Sequence, residues 1–269
     1  MKIVKLKKIK HDYKRGHKAP NKMPTVTESC ELWEDDELVG VYLNKARPYA
    51  PMLTRVMQIA NKEFRSQNVP KTMLARAAAL TAQSDGLSKK QSKAAHSQFS
   101  TILGSVPPKA IFKRTSPTIS SVHSEPKAKN FIKAMLTASK VLDGILECFM
   151  PDQHKQQTEL LERVPKKWKF GTLFTSSISN YNIAANCHID NPNIRGTCNA
   201  IYTKRSQASG GSLFLPDYDV VFEQPDDSLL IYPAWRNLHA VTAIEKHSED
   251  GYRNSFIWYA LKAFLDLKE

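Results

Sequence analysis

At 269 residues the chain is long enough to bury one large core, and its 41% hydrophobic content is that of an ordinary globular protein. Four cysteines without a CxxC pair argue against a disulfide scaffold and fit a reducing compartment, and no apolar run approaches the ~18 residues of a membrane span. The net charge of +13 is lopsided, since residues 1–175 hold 31 Lys and Arg against 15 Asp and Glu while residues 176–269 hold 8 against 11. Such asymmetry suggests a polyanion partner for the N-terminal part.

Residues 1–25 form a basic arm without helical periodicity and are expected to be flexible. No apolar stretch follows the first lysines, so the arm does not resemble a secretory signal and the protein is expected to be soluble and cytoplasmic. Residues 26–169 are expected to be mainly helical. Within them, "ESCELWEDDELVGVYL" (28–43) has the mixed texture of a short strand or edge element. Leu53, Met57, Ala60 and Phe64 recur every three or four residues and predict a helix over 51–67, and the Ala-rich stretch 69–84, with Pro near its start, predicts another. Residues 85–130 are rich in Ser, Lys and Pro with little periodicity and are expected to be a basic loop. Helix resumes over 130–149, where Ile132, Met135, Leu136, Leu142, Ile145, Leu146 and Phe149 line one face, and again over 152–164 after Pro151. From about residue 170 the texture changes to short β-branched and aromatic runs separated by Gly, Pro, Asp and Asn: "CNAIYT", "GSLFL", "DVVFE", "SLLIYP", "HAVTAI" and "RNSFIWYAL". The expectation is an α+β protein in one compact domain, with helices first and an all-β core over 170–269.

That β region contains "NCHIDNPNIRG" (186–196). On a strand end, His188 and Asp190 point to one side while Cys187 and Ile189 point to the other. A third ligand must arrive from a strand distant in sequence, and His239 opens "HAVTAI". Two histidines and one carboxylate on one face of a metal leave positions open, which is the ligand set of non-haem Fe(II) oxygenases. Arg253 and Ser255 lie two residues apart on a later strand. An arginine fork with a neighbouring hydroxyl suits a carboxylate, here the distal carboxylate of 2-oxoglutarate. A zinc site built from Cys187, His188 and Cys198 fails on spacing. His11, His17, His96, His123, His154 and His247 lie in polar surroundings and are expected to be solvated.

HxD, then His, then RxS on successive strands resembles the Fe(II)/2-oxoglutarate dioxygenase superfamily. Four stretches resemble its TET/JBP branch, especially the short phage and microbial members: "QFSTILGSVPPKAIFKR" (98–114), "NYNIAANCHIDNPNIRGTCNAIY" (180–202), residues 210–244 and "GYRNSFIWYA" (251–260). The resemblance implies a double-stranded β-helix (jelly-roll) core wrapped by N-terminal helices. It implies iron ligands at His188, Asp190 and His239, 2-oxoglutarate held by Arg253 and Ser255, and O2 as oxidant. Asp226 or Asp227 stands where many members of the superfamily have Gly before the distal histidine.

The branch oxidises the 5-methyl group of pyrimidines in DNA, so the resemblance implies hydroxylation of 5-methylcytosine, or of thymine. The basic arm and the 85–130 loop would then contact phosphates. Two other readings stand beside it: a protein or small-metabolite hydroxylase on the same fold, and a non-catalytic DNA-binding jelly roll. Tyr181, Phe214 and Tyr218 are candidates for stacking on a base, though each suits a core, and Asn182 and Asn193 suit turns more than base recognition. A monomer is the default expectation, with no membrane partner.

Overall fold

In the computed structural model of the chain, residues 1–66, 68–70, 98–110 and 113–267 are described. Short apolar strands with buried alternate residues cannot stand alone in water, and here they pair into two facing sheets. The larger contains β1 (Lys2–Leu6), β2 (Cys30–Glu34), β3 (Glu37–Leu43), β4 (Phe99–Val106), β5 (Thr118–Ile119), β6 (Ser176–Tyr181), β8 (Asn199–Ser206), β12 (Leu229–Tyr232) and β15 (Tyr252–Tyr259), in the order β1-β2-β3-β12-β8-β15-β6-β4-β5. The smaller has the order β11-β10-β13-β7, formed by β7 (Ala185–His188), β10 (Leu213–Leu215), β11 (Val220–Phe222) and β13 (His239–Val241). A two-stranded ribbon of β9 (Ala208–Gly210) and β14 (Ile244–Lys246) sits beside them. All pairings are antiparallel except β1 with β2. The expected jelly roll is therefore the architecture of this chain.

Strand alternation divides the molecule into layers. On β8 and β15, Ala200, Tyr202, Phe256 and Trp258 point outward into a core shared with the helices. Their sequence neighbours Ile201, Arg253, Ser255 and Ile257 point inward, between the sheets, and line a cavity. The helices α1 (Pro51–Arg65) and α2 (Lys129–Phe149) cover the outer face, burying Leu53, Met57, Ala60 and Phe64 from α1 and Phe131, Met135, Leu142, Ile145 and Leu146 from α2. Phe64 stacks on Phe131 and meets Phe256 edge-on, joining both helices to the sheet. The shorter α3 (Pro151–Glu162) buries only Gln157 and Leu161, yet Gln157 donates to Leu173 O and accepts from Cys198 N, pinning the entry to β8.

The structure changes or adds to three expectations. Residues 1–25 are not a free arm: residues 2–6 form β1, and the segment beyond it hydrogen-bonds to Asp217, Cys187 and Val221. Leu6 and Tyr13 supply the apolar contacts that hold the basic segment down. Second, the described part of residues 26–169 holds strands beside its helices, since β2 to β5 lie there and extend the larger sheet. Third, β4 lies inside the expected 85–130 loop, where "FSTILGSV" is buried at nearly every position and pairs with β6 over Phe99–Gly104. From residue 71 the expected 69–84 helix lies outside the described residues, as do residues 85–97 of the expected loop.

Candidate metal and co-substrate site

The pairing of β7 with β13 sets His188 directly opposite His239, their ring centroids 4.2 Å apart. Asp190 follows β7 by two residues, and its backbone N–H donates to Ala234 O, which folds the carboxylate back toward the histidines. Asp190 Oδ1 lies 3.6 Å from His188 Nε2 and 3.9 Å from His239 Nε2. One ligand atom from each of the three residues lies within 4.8 Å of the others.

The surroundings fix the form of each donor. His188 Nδ1 is 2.7 Å from Asn186 O, and His239 Nδ1 is 3.1 Å from Asn237 O. A carbonyl only accepts, so each Nδ1 carries a proton and Nε2, on the side of Asp190, is the nitrogen left to ligate a metal. Burial and the nearby His188 push the His239 pKa down, which keeps that imidazole neutral and able to ligate. Asn199 Nδ2 donates to Asp190 Oδ2 at 3.0 Å, and Asn193 Nδ2 donates to Asn199 Oδ1 at 2.8 Å. This amide chain occupies one carboxylate oxygen and leaves Oδ1 facing the histidines. Two imidazole Nε2 atoms and a carboxylate oxygen, brought to one point, fit a divalent metal of the Fe(II) class.

The same cavity, about 330 Å³, runs from these three residues to Arg253 and Ser255. Arg253 is 2% exposed, and among the described residues no carboxylate pairs with it and its Nε has no hydrogen-bond partner. Burial and the neighbouring Arg205, its direct partner across β8 and β15, lower its pKa to about 9. A buried guanidinium without an anion is costly, so the geometry fits an anionic ligand that completes the site. Arg205 is tied to the carbonyls of Gly210, Gln224 and Ala208. The left-handed Gly211 (φ +67°) leaves Arg253 its room, since a Cβ there would lie 3.0 Å from Nε. Ser255 Oγ accepts from Asn180 Nδ2 at 3.3 Å, leaving its own proton available to donate.

The site also holds residues that sequence reasoning missed. Gln224 is 1% exposed and lines the cavity; its Oε1 accepts from Thr203 Oγ1 at 2.9 Å, while its Nε2 has no partner. Thr203 is the cross-strand neighbour of Ser255, and Arg205 that of Arg253, so the Gln224 amide lies over the arginine–serine row. Tyr232, edge-on to His239 at 5.7 Å, keeps its hydroxyl buried without a partner, and burial together with Asp190 raises its pKa well above the usual phenol range.

Residues 105–262, more than half of the chain, match the Tet_JBP model, the oxygenase domain of the 2OGFeDO superfamily. The chain belongs to the Tet_JBP family. Members of this superfamily are Fe(II)-dependent oxygenases that use 2-oxoglutarate and O2, so this chain is an enzyme of that class, and the donor set and the unpaired Arg253 fit those groups. Among solved structures, the chain is similar to NgTET1 in complex with 5mC DNA, with TM-score 0.56 and 12% identity over 91% of this chain and 82% of that one, a likeness of fold. A 2OG-Fe(II) oxygenase family oxidoreductase from Burkholderia pseudomallei gives TM-score 0.45 and 12% identity, covering 83% and 84% of the two chains. OsALKBH1 gives 0.37 and 11%, covering 82% and 97%. No curated protein sequence matches.

Against the family pattern, the Asp226–Asp227 turn keeps the backbone that glycine would favour. Asp227 is left-handed (φ +63°), and both carboxylates bind Lys204 Nζ, at 2.8 and 2.9 Å. The stacking candidates do not stand free. Phe214 and Tyr218 are buried, and Tyr181 stacks on Phe99 at 4.9 Å. Asn182 is left-handed and caps Arg253 N through its side chain, while Asn193 belongs to the amide chain behind Asp190, so both serve turns and positioning. Of the histidines expected to be solvated, His123 accepts from Gly104 N, His154 pairs with Asp143 and His11 with Asp217. His96 lies outside the described residues.

Proposed function

We propose that this protein is an Fe(II)- and 2-oxoglutarate-dependent dioxygenase that converts the 5-methyl group of a pyrimidine in DNA to hydroxymethyl, with 5-methylcytosine favoured over thymine. The observation that carries the reading is one cavity joining a His-Asp-His donor set to a buried, anion-less arginine, on a chain whose net positive charge lies in its first two thirds. His188, Asp190 and His239 would hold the iron; Arg253 and Ser255 would bind the distal carboxylate of 2-oxoglutarate, with Asn180 orienting the Ser255 hydroxyl.

When bound, the metal with 2-oxoglutarate and O2 supplies an oxidant strong enough for a methyl C–H bond. In balance, 2-oxoglutarate, O2 and the methyl group give succinate, CO2 and hydroxymethyl. The chain's own residues position the reactants and restrict water. Ile178, Ile183, Ile201, Ile257 and Leu213 give the cavity apolar walls. A cavity of about 330 Å³ admits a single base and not a duplex, so the target nucleotide must leave the stack, as base-modifying enzymes require. Membership of a family named for Tet and JBP, and a fold shared with a protein crystallised on 5mC DNA, support DNA as the substrate class.

Mass spectrometry of nucleosides after incubating methylated DNA with protein, Fe(II) and 2-oxoglutarate tests the reading. Hydroxymethylcytosine, or hydroxymethyluracil from thymine, supports it. Turnover of the free nucleoside in preference to DNA would replace it with a small-molecule hydroxylase. DNA binding with no succinate and no oxidised base would leave a binding protein.

A further inference from the structure

The basic N-terminal segment lies against β7, the strand that carries His188 and leads into Asp190. Gly16 N donates to Cys187 O at 2.8 Å, and Cys187 N donates to His17 O at 2.7 Å, so residues 16 and 17 cover the free edge of β7. Tyr13 and Ala19 pack on Cys187, Ile189 and Leu238 beneath. Arg15 reaches Ile189 O, between His188 and Asp190, at 3.4 Å. A second tether runs to the other donor strand: His11 pairs with Asp217 at 2.8 Å, and Asp217 accepts from Asn237 Nδ2 at 2.7 Å, the residue whose carbonyl holds His239.

This placement coincides with the open side of the site. The His239 side chain is 6% exposed, whereas those of His188 and Asp190 are 41% and 32% exposed. A substrate therefore approaches on the β7 side, past the turn of residues 14–17, which left-handed Gly16 (φ +87°) and the bond from His17 N to Lys14 O close. Lys14, Arg15 and Lys18 are exposed there, and none forms an ion pair with an acidic side chain among the described residues. Lys2, Lys8 and Lys22 pair with Glu28, Glu34 and Asp219, and Lys5, Lys7 and Lys10, though exposed and without an ion pair among the described residues, belong to β1 and the stretch after it and not to the turn against β7.

We infer that Lys14, Arg15 and Lys18 form a cationic rim at the mouth of the metal site that holds the DNA phosphates flanking the target nucleotide. The inference rests on DNA being the substrate class and adds where the strand is gripped. A rim backbone-bonded to β7 fixes the distance between the held phosphates and the metal donors, so only the intervening nucleotide needs to swing inward. The remaining lysines would add long-range attraction and no register.

The test compares two triple charge reversals with the same change in net charge: Lys14→Glu/Arg15→Glu/Lys18→Glu at the rim, and Lys129→Glu/Lys133→Glu/Lys140→Glu on the exposed face of α2. Binding of an unmodified, fluorescently labelled duplex is measured by anisotropy at several salt concentrations, with melting temperatures recorded for each protein; Arg15→Gln keeps the test open if the triple rim variant melts early. The rim variant is expected to lose two to three units of the log–log salt slope, about one per lost phosphate contact, and Arg15→Gln about one, while the α2 variant keeps the wild-type slope. Equal losses from the two triples, or an unchanged slope at the rim, would overturn the inference. Because no Fe(II) or 2-oxoglutarate is added to the binding assay, the outcome is separable from the oxidation chemistry. Tight, salt-sensitive binding without any oxidised product sinks the proposed reaction and leaves the rim standing.

Discussion

At the scale of single residues, the candidate metal donors stood out in the sequence because few side chains can ligate iron and their order along strands is restrictive, and the structure brings the three together. His188→Ala, Asp190→Ala and His239→Ala are each expected to abolish succinate formation and Mn(II) binding, with little change in melting temperature for the first two, which are part-exposed at the cavity mouth, and a larger one for buried His239. Retained Mn(II) binding in Asp190→Ala would remove that carboxylate from the set. Asn199→Ala should weaken metal binding by about 10–100-fold, the usual cost of losing a partner that orients a ligand. Arg253→Ala should raise the half-saturating 2-oxoglutarate concentration strongly, and Arg253→Lys should rescue it only in part, lacking the fork. Ser255→Ala and Gln224→Leu remove one neutral donor each and should cost about fivefold, from ~1 kcal/mol per hydrogen bond. Calorimetric titration of 2-oxoglutarate into the Mn(II)-loaded variants checks the series, and unchanged affinity in Arg253→Ala would sink the assignment. Gln224, Asn199 and Tyr232 escaped the sequence because amides and phenols are common, and only cross-strand register brings them to the site.

Elements were legible where periodicity was strong. The α1 stripe of Leu53, Met57, Ala60 and Phe64 is buried as the 3.6-residue spacing demands, and Arg253 and Ser255 share a cavity face as strand alternation demands. β4 and β6 were not. "SSISNY" of β6 carries a polar composition because buried Ser177 and Ser179 face the packed side, and β4 is flanked by Lys- and Ser-rich stretches that mask it. β4 supplies its own test. At Gly104 (φ +77°) its backbone N–H donates to His123 Nε2 at 2.9 Å, so His123 must be unprotonated at Nε2. Burial lowers the His123 pKa. The unfolded chain therefore binds this proton more readily than the folded one, and protonation favours unfolding. Its contribution to stability should be intact above the unfolded value near ~6.5 and decline as pH falls from there toward the depressed folded value. Melting curves between pH 7.5 and 5 for wild type and His123→Gln check this; the gap between the two should shrink at the acid end. Parallel curves would show that His123 is not the titrating group.

For the molecule as a whole, the charge asymmetry was legible but the behaviour of its most basic segment was not. Nine Lys and Arg against one Asp in residues 1–25 describe a solvated tail, yet five of those residues form β1 and Leu6 is 5% exposed. Charge pattern measures how a segment is hydrated, and a few apolar anchors between the charges decide whether it docks. Truncation to residue 26 is accordingly expected to lower stability as well as DNA affinity. It would strip β2 of its parallel partner, withdraw Leu6 from the core around Leu32 and Val39, and expose the β7 edge now covered by residues 16 and 17. Burying one such leucine contributes ~1.5–3 kcal/mol, and each 1 kcal/mol shifts the melting temperature of a 150–250-residue domain by about 2–4 °C. The truncated protein should therefore melt at least several degrees lower, and saturating Mn(II) with 2-oxoglutarate should restore part of the difference, because ligands that bind only the folded state stabilise it. Scanning calorimetry of both proteins, with and without those ligands, reads all of this directly. An unchanged melting temperature after truncation would mean that the segment contributes charge alone, and the loss of DNA affinity would then need no structural component.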